Sequence, residues 1–442
     1  MESLFGRMSK YTFILIGWLG MLAPCVMAGV IEQSVVNSQL FESLHGFGRN
    51  TRGGIGGDIY LVTRGDDAMQ EIRPGRWEPV EGTLRHAIEK QAGPRWILFD
   101  PVVFPADREV PIYLEKPLNI NSQTTVDGRG SKVSIRRQYR WDDVEKWEKI
   151  GKVYECTAKT HPSRMLGPII RLHAVNQVVL THLDFRKEYM GTPPDFGVES
   201  PLLDAQCFAD IITAVNLDAT AEKYFDQIWI NRSTFQECGD ECIAFTNANI
   251  HHRSYATVSA NLFLNANKAI IQGRTMDTPF GVAVSYYRNH FDHVRQRSPR
   301  VENGYAHVFN NLYQGWSIYG AAASSHSRVL VEQNAFLANT AQRVTDPWIY
   351  IDPNDANLWA RSNLFDGVPE PGRFATAQFP RCKEEGGPWY LPCRTAYYPA
   401  EGPLAISVIT PSQAQALLAA GAGWEATTND VRDGLGIFPP AR

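Results

Sequence analysis

The stretch RQRSPRVE, residues 295–302, places Arg295, Arg297 and Arg300 within six positions and beside Pro299. The chain of 442 residues has a formal net charge of −4, so this positive charge is local. Guanidinium groups keep their protons far above neutral pH, and such a stretch supplies fixed positive charge that could stabilise an anion bound or formed beside it. The alternative interpretation is a solvated surface loop with no chemical role.

A second group of reactive side chains is CGDEC, residues 238–242, in which two acidic residues stand between two cysteines. In an oxidising compartment an even number of cysteines permits disulfides, and the nearest pairs in sequence are Cys238 with Cys242 and Cys382 with Cys393. A zinc site is the alternative. The CxxxC spacing alone is weak evidence for zinc, since no second such pair with histidines at ligand spacing accompanies it.

Residues 1–28 predict a signal peptide. Arg7 and Lys10 precede a short apolar run, and Val26 and Ala28 form a small-x-small cleavage site. We therefore expect a secreted or periplasmic protein, with residues 29–442 as one domain and Cys25 removed. The alternative is that the segment remains as an anchor. The near-neutral net charge indicates neither a nucleic acid nor an anionic membrane as partner.

The most informative pattern is a short strand that ends in Asn-x-aromatic and recurs along the chain. The alternation of apolar and polar residues in each copy has the period of a strand. Segments 176–186 and 225–235 carry the same strand with Leu or Ser in place of the asparagine. The full copies are SYATVSANLFL (254–264), GVAVSYYRNHF (281–291), GYAHVFNNLYQ (304–314), SRVLVEQNAFL (327–337) and DANLWARSNLF (355–365).

Repeats of this kind predict a solenoid in which one coil stacks on the next. The aromatic residues are separated by 28, 28, 22, 23 and 29 positions. Stacked strands lie about 4.8 Å apart, so the asparagines could form a ladder of amide hydrogen bonds with the aromatic rings stacked inside. A sandwich of similar strands is the alternative, but it does not explain why asparagine recurs at one fixed place. The repeated residues are Asn261, Asn289, Asn311, Asn334 and Asn363, and the aromatic residues are Phe235, Phe263, Phe291, Tyr313, Phe336 and Phe365.

The ends and insertions of the solenoid have their own signals. Glycine-rich residues 46–58 lack the GK[ST] ending of a phosphate loop and predict tight turns that lead into a strand. Residues 82–90 predict an amphipathic helix that covers the open end of the solenoid. Residues 366–442 are expected to form a C-terminal tail packed on the wall, with a helix at 411–424. Long charged or turn-rich insertions are expected at 136–149 and 187–200.

These segments resemble the secreted pectate lyases and the polysaccharide lyase family that also contains pectin lyases. The resemblance runs from about Gly46 to Phe336, and its blocks occur in the family's order. It implies a right-handed parallel β-helix, expected to act as a monomer on an acidic polysaccharide, pectate or pectin, by β-elimination. The blocks are GFGRNTRGGIGG, GTLRHAIEK, TVDGRG, VVLTHLDF, QIWINRSTF and RQRSPRVENGYAHVFNNLY.

The resemblance also implies roles for individual basic residues. Arg297 begins the family's R-x-P-x-x-R motif, and this position is the base that removes the C5 proton. Neighbouring cations such as Arg295 and Arg300 would favour its neutral form. Lys268 in NKAIIQG matches the lysine that holds a substrate carboxylate, and Arg300 is a further substrate-binding candidate. Glu302 replaces the second arginine of the motif.

Calcium is the cofactor that the resemblance implies, and at its ligand positions the sequence departs from the family pattern. Asp210 and Asp240 match metal ligands, but Phe208 and Ala244 occupy two other ligand positions. Candidate replacement ligands are Glu241, Asp204 and Glu237. Arg232, which replaces a histidine in WINRST, could instead serve a calcium-independent site of the pectin lyase type.

Two further classes of function stay open. A carbohydrate-binding β-helix without activity would explain the weakened metal positions, although Arg297 and Lys268 are retained. A hydrolase of the polygalacturonase type would share the fold and needs paired carboxylates as acid and base. The NTD, DD, GHG and RIK blocks of that class are absent as a set.

Overall fold

The structure is a computed structural model, and it describes the central part of the chain. The predicted signal peptide, the Cys382 and Cys393 pair and the helix expected at 411–424 lie outside the described residues. The chain divides into two units, residues 1–44 and residues 45–442. Of the first unit, only residues 40–44 are described. The described residues are 40–141, 144–150, 153–158, 167–192, 210–216, 220, 222–249, 251–273, 281–337, 349–351, 356–361, 363–366 and 412.

The described residues between 45 and 366 form a parallel β-helix with three faces, so the predicted solenoid is confirmed. Successive coils contribute neighbouring strands to each face, and these strands pair in parallel. Two long strands, β23 (Arg300–Phe309) and β25 (Ala321–Glu332), begin in face 2 and bend into face 1, which joins these two faces into one sheet.

The strands of face 1 are β1 (Asp58–Val62), β4 (Arg95–Phe99), β7 (Thr124–Asp127), β12 (Asn176–Thr181), β15 (Asp226–Asn231), β18 (Ser254–Ser259), β21 (Val282–Tyr287) and β28 (Asn357–Arg361). Those of face 2 are β6 (Leu118–Asn119), β11 (Ile170–Arg171), β14 (Ile212–Asn216), β17 (Glu241–Asn247), β20 (Lys268–Gln272) and β27 (Ile349–Ile351). Those of face 3 are β5 (Val110–Tyr113), β8 (Val133–Arg140), β13 (Asp184–Met190), β16 (Thr234–Gln236), β19 (Leu262–Leu264), β22 (His290–Asp292), β24 (Leu312–Gln314), β26 (Ala335–Leu337) and β29 (Leu364–Asp366).

Each sequence repeat is two strands around a corner, whereas the sequence predicted a single strand. The residue before the ladder position has a left-handed backbone, for example φ 55° at Ala260 and φ 54° at Arg288. Non-glycine residues rarely adopt this conformation, because the Cβ atom approaches the following carbonyl. The turn sends the chain from face 1 into face 3, and the next asparagine side chain points into the corner.

The asparagine ladder is confirmed. The Nδ2 atoms of Asn261, Asn289, Asn311 and Asn334 each donate to the Oδ1 atom of the next asparagine at 2.9–3.0 Å, ending at Asn363. The same oxygens also accept backbone N–H groups at the corner, at 2.9–3.1 Å. A buried amide whose donors and acceptors are satisfied in this way stabilises the corner despite its strained backbone.

The aromatic residues of face 3 form a continuous stack inside the solenoid. Phe263 and Phe291 are buried, and their ring centroids lie 4.9 Å apart. The stack extends from Phe185 to Phe365 with centroid separations between 4.3 and 5.3 Å. Since equivalent side chains in successive coils lie one strand spacing apart, the stack follows directly from parallel pairing in register.

The predicted helix is confirmed as α1 (Leu84–Glu89). The Thr83 side chain accepts a hydrogen bond from the His86 N–H at 3.1 Å and caps its first turn. Leu84 and Ile88 are buried, and the helix packs against β1 and β6, the first strands of faces 1 and 2. It therefore covers this end of the described solenoid.

The glycine-rich segment forms turns, as expected, and it also lies as a strap across the outer surface of face 1. The N–H groups of Phe47 and Gly54 donate to the side chains of Ser285 and Thr125 at 2.9 Å. A Cβ atom on Gly54 would lie 1.8 Å from the Arg95 carbonyl oxygen. The glycine thus permits close backbone approach to the wall.

The two predicted insertions differ in structure. Residues beyond Arg140 continue into an antiparallel hairpin of β9 (Val144–Ile150) and β10 (Val153–Ala158). The first part of segment 187–200 is not an insertion, because residues up to Met190 extend β13 and pair with β8. A second hairpin, β2 (Met69–Arg73) with β3 (Arg76–Pro79), follows β1. Among the described residues, none of the helices has both the length and the apolar character needed to cross a membrane.

Candidate active site at the start of face 2

Parallel stacking brings residues that are far apart in sequence to one place on face 2. Glu241 at the start of β17 is paired in register with Lys268 at the start of β20. Lys268 in turn forms a bridge with Gln296, next to Arg297. Arg300 begins β23 and is paired in register with Ile271, which lies in β20 with Lys268. The predicted site residues therefore lie on adjacent coils, at the corner where the chain enters face 2.

An acidic cluster of Asp210, Asp240 and Glu241 stands at this corner. One carboxylate oxygen from each residue lies within 4.8 Å of the others. The structure thus brings together the two predicted metal ligands, and Glu241, one of the candidate replacements, completes the group. Of the other candidates, Glu237 is exposed and is not part of the cluster, and Asp204 lies outside the described residues.

A disulfide fixes the loop that carries two of these acids. Cys238 and Cys242 are bonded to each other, with their Cα atoms 5.2 Å apart and both side chains buried. The bond was one of the two pairs expected from the sequence, and it excludes the zinc interpretation of these cysteines. Because it closes a ring around Gly239, Asp240 and Glu241, it restricts where the two carboxylates can point.

Two of the acids hold the two basic residues that the sequence singled out. The Lys268 Nζ donates to Asp240 Oδ1 at 2.8 Å, and Arg297 forms an ion pair with Glu241. The Lys268 side chain is only 1% exposed, so it is not the solvated surface lysine of the alternative interpretation.

Arg297 and Arg300 occupy different surroundings. Arg297 has a left-handed backbone, with φ 60°, which orients its side chain toward Glu241. Arg300 lies 3.0 Å from Glu302 and 3.3 Å from the Ser324 hydroxyl through its Nε. Glu302, the departure from the family motif, therefore supplies a partner for Arg300 in place of a further cation.

Burial and mutual repulsion determine the charge state of the acidic cluster. Burial, together with the neighbouring Asp240 charge, raises the pKa of Asp210 to about 6. The same two causes raise the pKa of Glu241 well above its usual value. Burial also acts against ionisation of Asp240, but the charges of Lys268 and Lys187 and the hydrogen bonds from Lys268 and Glu241 together outweigh it, and the pKa of Asp240 is lowered. Asp240 is therefore the carboxylate most readily ionised.

The environment of Arg297 corrects one expectation from the sequence. Burial would lower the pKa of Arg297, but the charges of Glu241, Tyr319 and Asp240 outweigh it, and the pKa is raised. The expectation was that neighbouring cations would favour the neutral form. Carboxylates dominate instead, because the acidic cluster lies against the guanidinium group.

The donor atoms of the acidic cluster can be compared with the ligands that calcium prefers. Calcium prefers several carboxylate and carbonyl oxygens at flexible geometry, and Asp210, Asp240 and Glu241 are such donors. Ala244 stands in β17 and offers no side-chain oxygen, and Phe208 lies outside the described residues. The donor chemistry fits a hard divalent cation, although Lys268 and Arg297 already engage two of the three acids.

Arg232 is not part of this site. It lies between β15 and β16, at the corner from face 1 to face 3, with φ 45°. Its charge acts on His182, whose pKa is lowered well below its usual value mainly by burial. The structure therefore does not place Arg232 where it could replace a metal at the acidic cluster.

Sequence reasoning did not identify Lys187, which lies fully buried on β13 near the cluster. Burial lowers its pKa to about 8, against the opposing effect of Asp210, Asp240 and Glu241. The only sequence signal for it was its place in a charged stretch, and that stretch was interpreted as a surface insertion.

Comparisons with known proteins agree with this architecture. Residues 175–357 match the family model described as pectate lyase. The chain is 28% identical over 296 residues to Pectate lyase 1 of Juniperus ashei, covering 66% of each chain. It is 27% identical over 303 residues to Pectate lyase 1 of Hesperocyparis arizonica, covering 68% of each. It thus spans about two thirds of the length of these relatives.

Solved structures share the fold. The crystal structure of Jun a 1, the major allergen from cedar pollen, matches with a TM-score of 0.57 at 22% identity, covering 87% of this chain and 94% of that one. A pectate lyase from Paenibacillus sp. 0602 matches with a TM-score of 0.51 at 13% identity, covering 86% and 96%. The chain is thus similar to pectate lyases in sequence, and it shares their parallel β-helix fold.

Proposed function

We propose that the protein is a polysaccharide lyase that cleaves an acidic polyuronide of the pectate type by β-elimination. The observation that carries the proposal is the meeting of Lys268 and Arg297 with the Asp240–Glu241 pair on adjacent coils of face 2. Such an arrangement supplies two cations for an anionic sugar and an acidic group able to hold a metal. Similarity to pectate lyases supports the reaction type.

The chemistry explains why the cations are needed. In β-elimination, a base takes the C5 proton, the electron pair left behind forms the C4–C5 double bond, and the C4–O bond breaks. The leaving glycosidic oxygen takes up a proton from water. Charge that develops next to the C6 carboxylate must be stabilised by fixed positive groups, since these stabilise the transition state more than the ground state.

We assign the proton transfer to Arg297 and the hold on a substrate carboxylate to Lys268, with Arg300 as a further contact. Glu241 pairs with Arg297 and raises its pKa, so Arg297 keeps its proton in this arrangement. Productive binding must therefore turn Glu241 away from Arg297 or neutralise it. The buried Lys268 likewise has to exchange Asp240 for the substrate.

Calcium is proposed as the cofactor, held by Asp210, Asp240 and Glu241. When bound, it would supply positive charge to substrate carboxylates and to the charge that develops on them. Bound calcium would also weaken the ion pairs of Lys268 and Arg297, because carboxylates that ligate a cation hold these two side chains less strongly.

The direct test is absorbance of the unsaturated uronide product. We expect the ultraviolet signal to rise on polygalacturonate, and Arg297→Ala to lower the rate about 100-fold or more while leaving the circular dichroism spectrum unchanged. Arg49→Ala, which removes an exposed arginine from the strap, is the matched control and should retain full activity. Substantial activity in the Arg297 variant would remove this residue from the mechanism.

A second candidate function is a carbohydrate-binding β-helix without catalysis. It is favoured by Ala244 at a ligand position and by the ion pairs that already occupy Asp240 and Glu241. Binding of oligogalacturonate with no ultraviolet signal, with or without calcium, would establish this function. Reducing ends without that signal would point to a hydrolase, and activity that survives a chelator would point to the calcium-independent pectin lyase type.

We also propose that the protein is exported after removal of residues 1–28 and acts as a monomer. The apolar segment with its small-x-small site supports the cleavage. N-terminal sequencing of the protein recovered outside the cytoplasm tests the cleavage site, and light scattering tests the oligomeric state. A mature protein that begins at Met1 would contradict the first part.

A further inference from the structure

Lys187 is a charged residue in an unusual place. Its side chain is 0% exposed, whereas lysines are almost never fully buried unless they are paired. Its Nζ lies 5.6 Å from the centre of the Tyr139 ring, and its neighbour in register on β8 is Arg137, a second buried cation. A structure that buries two cations side by side requires negative charge nearby to balance them.

The course of β13 brings Lys187 beside the acidic cluster. Pairing of β13 with β16 ends at Arg186 and Gln236, so Lys187 and the residues after it run alongside the loop that starts at Glu237. The Tyr189 hydroxyl donates to the Glu237 carbonyl at 3.2 Å, which fixes this approach. That loop, closed by the disulfide, leads directly to two acids of the cluster.

Three cations act on the three acids of the cluster. Asp210, Asp240 and Glu241 all act electrostatically on Lys187. Lys268 and Arg297 are paired with two of the same acids. Lys268 and Arg297 have proposed roles toward substrate, whereas Lys187, whose side chain is fully buried, has none. A divalent cation would therefore share the cluster with a fixed ammonium group that cannot move into solvent.

We propose that Lys187 is a positioning residue, a built-in counter-ion that holds the acidic cluster together without metal and lowers its affinity for divalent cations. The proposal rests on the acidic cluster being the cation site of the proposed function. It explains how the three carboxylates of the cluster can lie within 4.8 Å of one another. Replacing Lys187 by a neutral side chain should make the cluster bind calcium more tightly.

The test is calcium binding to the substrate-free protein, measured by isothermal titration calorimetry. Lys187→Met keeps the length of the side chain and removes its charge, and we expect its calcium Kd to be at least about tenfold lower than that of the wild type, since like charges repel strongly at short range in a partly buried site. Lys223→Met, the same change at an exposed lysine, should leave the Kd unchanged. An unchanged or higher Kd for Lys187→Met, or no calcium binding by either protein, would overturn the proposal.

If Lys187→Met does not fold, a second variant and a refolding experiment test the proposal. Lys187→Gln retains a hydrogen-bonding end, and we expect the same tighter binding from it. If both variants are unfolded, each is refolded with calcium or with sodium chloride of equal ionic strength. Rescue by calcium alone supports the counter-ion role, and failure of calcium to rescue overturns it.

The lyase assay, run on the same samples, separates this proposal from the proposed function. A wild type without elimination activity, together with tighter calcium binding by Lys187→Met, would remove the lyase function and retain the role of Lys187. Elimination activity in the wild type, together with an unchanged calcium Kd in Lys187→Met, would retain the lyase function and remove the role of Lys187.

Discussion

Glu241 links the two halves of the candidate site at the level of single residues. It is a candidate metal ligand, and it is also the ion-pair partner of Arg297. Burial and the charge of Asp240 raise its pKa, so ionising it is costly unless a cation is present. The guanidinium group and a proton therefore compete for one carboxylate, and the proposed metal would join this competition. In the proposed mechanism, the outcome decides whether Arg297 can act on a substrate.

Asp210 gives a prediction for the dependence of stability on pH. Its pKa is about 6 in the folded protein and 3.8 without the fold, so the folded state holds the proton more tightly between these values. Stability from this group is present below pH 3.8 and is lost as the pH rises through 6. Asp210→Asn should therefore raise the free energy of unfolding at pH 8 by up to about 3 kcal/mol, since one pKa unit corresponds to about 1.4 kcal/mol, and give no gain near pH 3.5.

Urea denaturation of both proteins at the two pH values, in the presence of a chelator, measures this difference. Asp58→Asn is the matched control, because Asp58 is exposed at the start of β1, and it should show little change at either pH. A variant less stable than the wild type at pH 8 would show that ionised Asp210 stabilises the fold, which is the opposite of the expected effect.

At the scale of elements, the loop from Cys238 to Cys242 positions the site. It joins β16 of face 3 to β17 of face 2, and its disulfide holds Asp240 and Glu241 at the corner. The strand register then sets Lys268 opposite Glu241. The precision of the site depends on this one short connection as well as on the sheets that flank it.

Replacing both cysteines of this loop by alanine should reduce activity more than stability. A disulfide across so short a loop stabilises the fold by about 2 kcal/mol in the chain-entropy model, whereas freeing the two carboxylates disturbs every contact of the cluster. We expect a drop of at least about tenfold in the elimination rate, with a circular dichroism spectrum like that of the wild type. Full activity in the double variant would limit the disulfide to a role in stability.

At the scale of the whole molecule, the asparagine ladder and the aromatic stack connect successive coils through the interior. Asn289 donates to Asn311 and to the Val258 carbonyl, and it accepts from Asn261. A solenoid has contacts only between neighbouring coils, so its stability is close to a sum of such interfaces. A break in the middle of the ladder therefore weakens the contact between the coils on either side.

Asn289→Ala tests this contribution. The variant leaves buried donors and acceptors of Asn261 and Val258 without partners, and each such group costs about 1–3 kcal/mol, so we expect a loss of about 3 kcal/mol or more in the free energy of unfolding. Thermal and urea denaturation measure it. Asn119→Ala removes an exposed asparagine from a strand and should change stability by less than about 0.5 kcal/mol. Equal, small effects of the two substitutions would show that the ladder contributes little.

Several features could be predicted from the sequence because they repeat or follow local rules. The spacing of Asn-x-aromatic predicted the ladder and the stack, since one side chain per coil must meet its equivalents in the next coil. The apolar spacing of Leu84, Ala87 and Ile88 predicted the capping helix, whereas its Thr83 cap was seen only in the structure. The corner within each repeat was not predicted from the sequence, because alanine and arginine, found at Ala260 and Arg288, are not residue types that favour a left-handed backbone.

The sequence by itself determined the solenoid, its similarity to pectate lyases and the identity of the residues that could carry chemistry. Only the tertiary structure decided which of these residues meet and in what charge state. Lys187 and Glu241 show the reason, because they are far from Arg297 in sequence and their roles arise from burial and from the field of side chains on neighbouring coils. Such effects depend on distances through space. Strand register sets those distances, and no local sequence pattern predicts it.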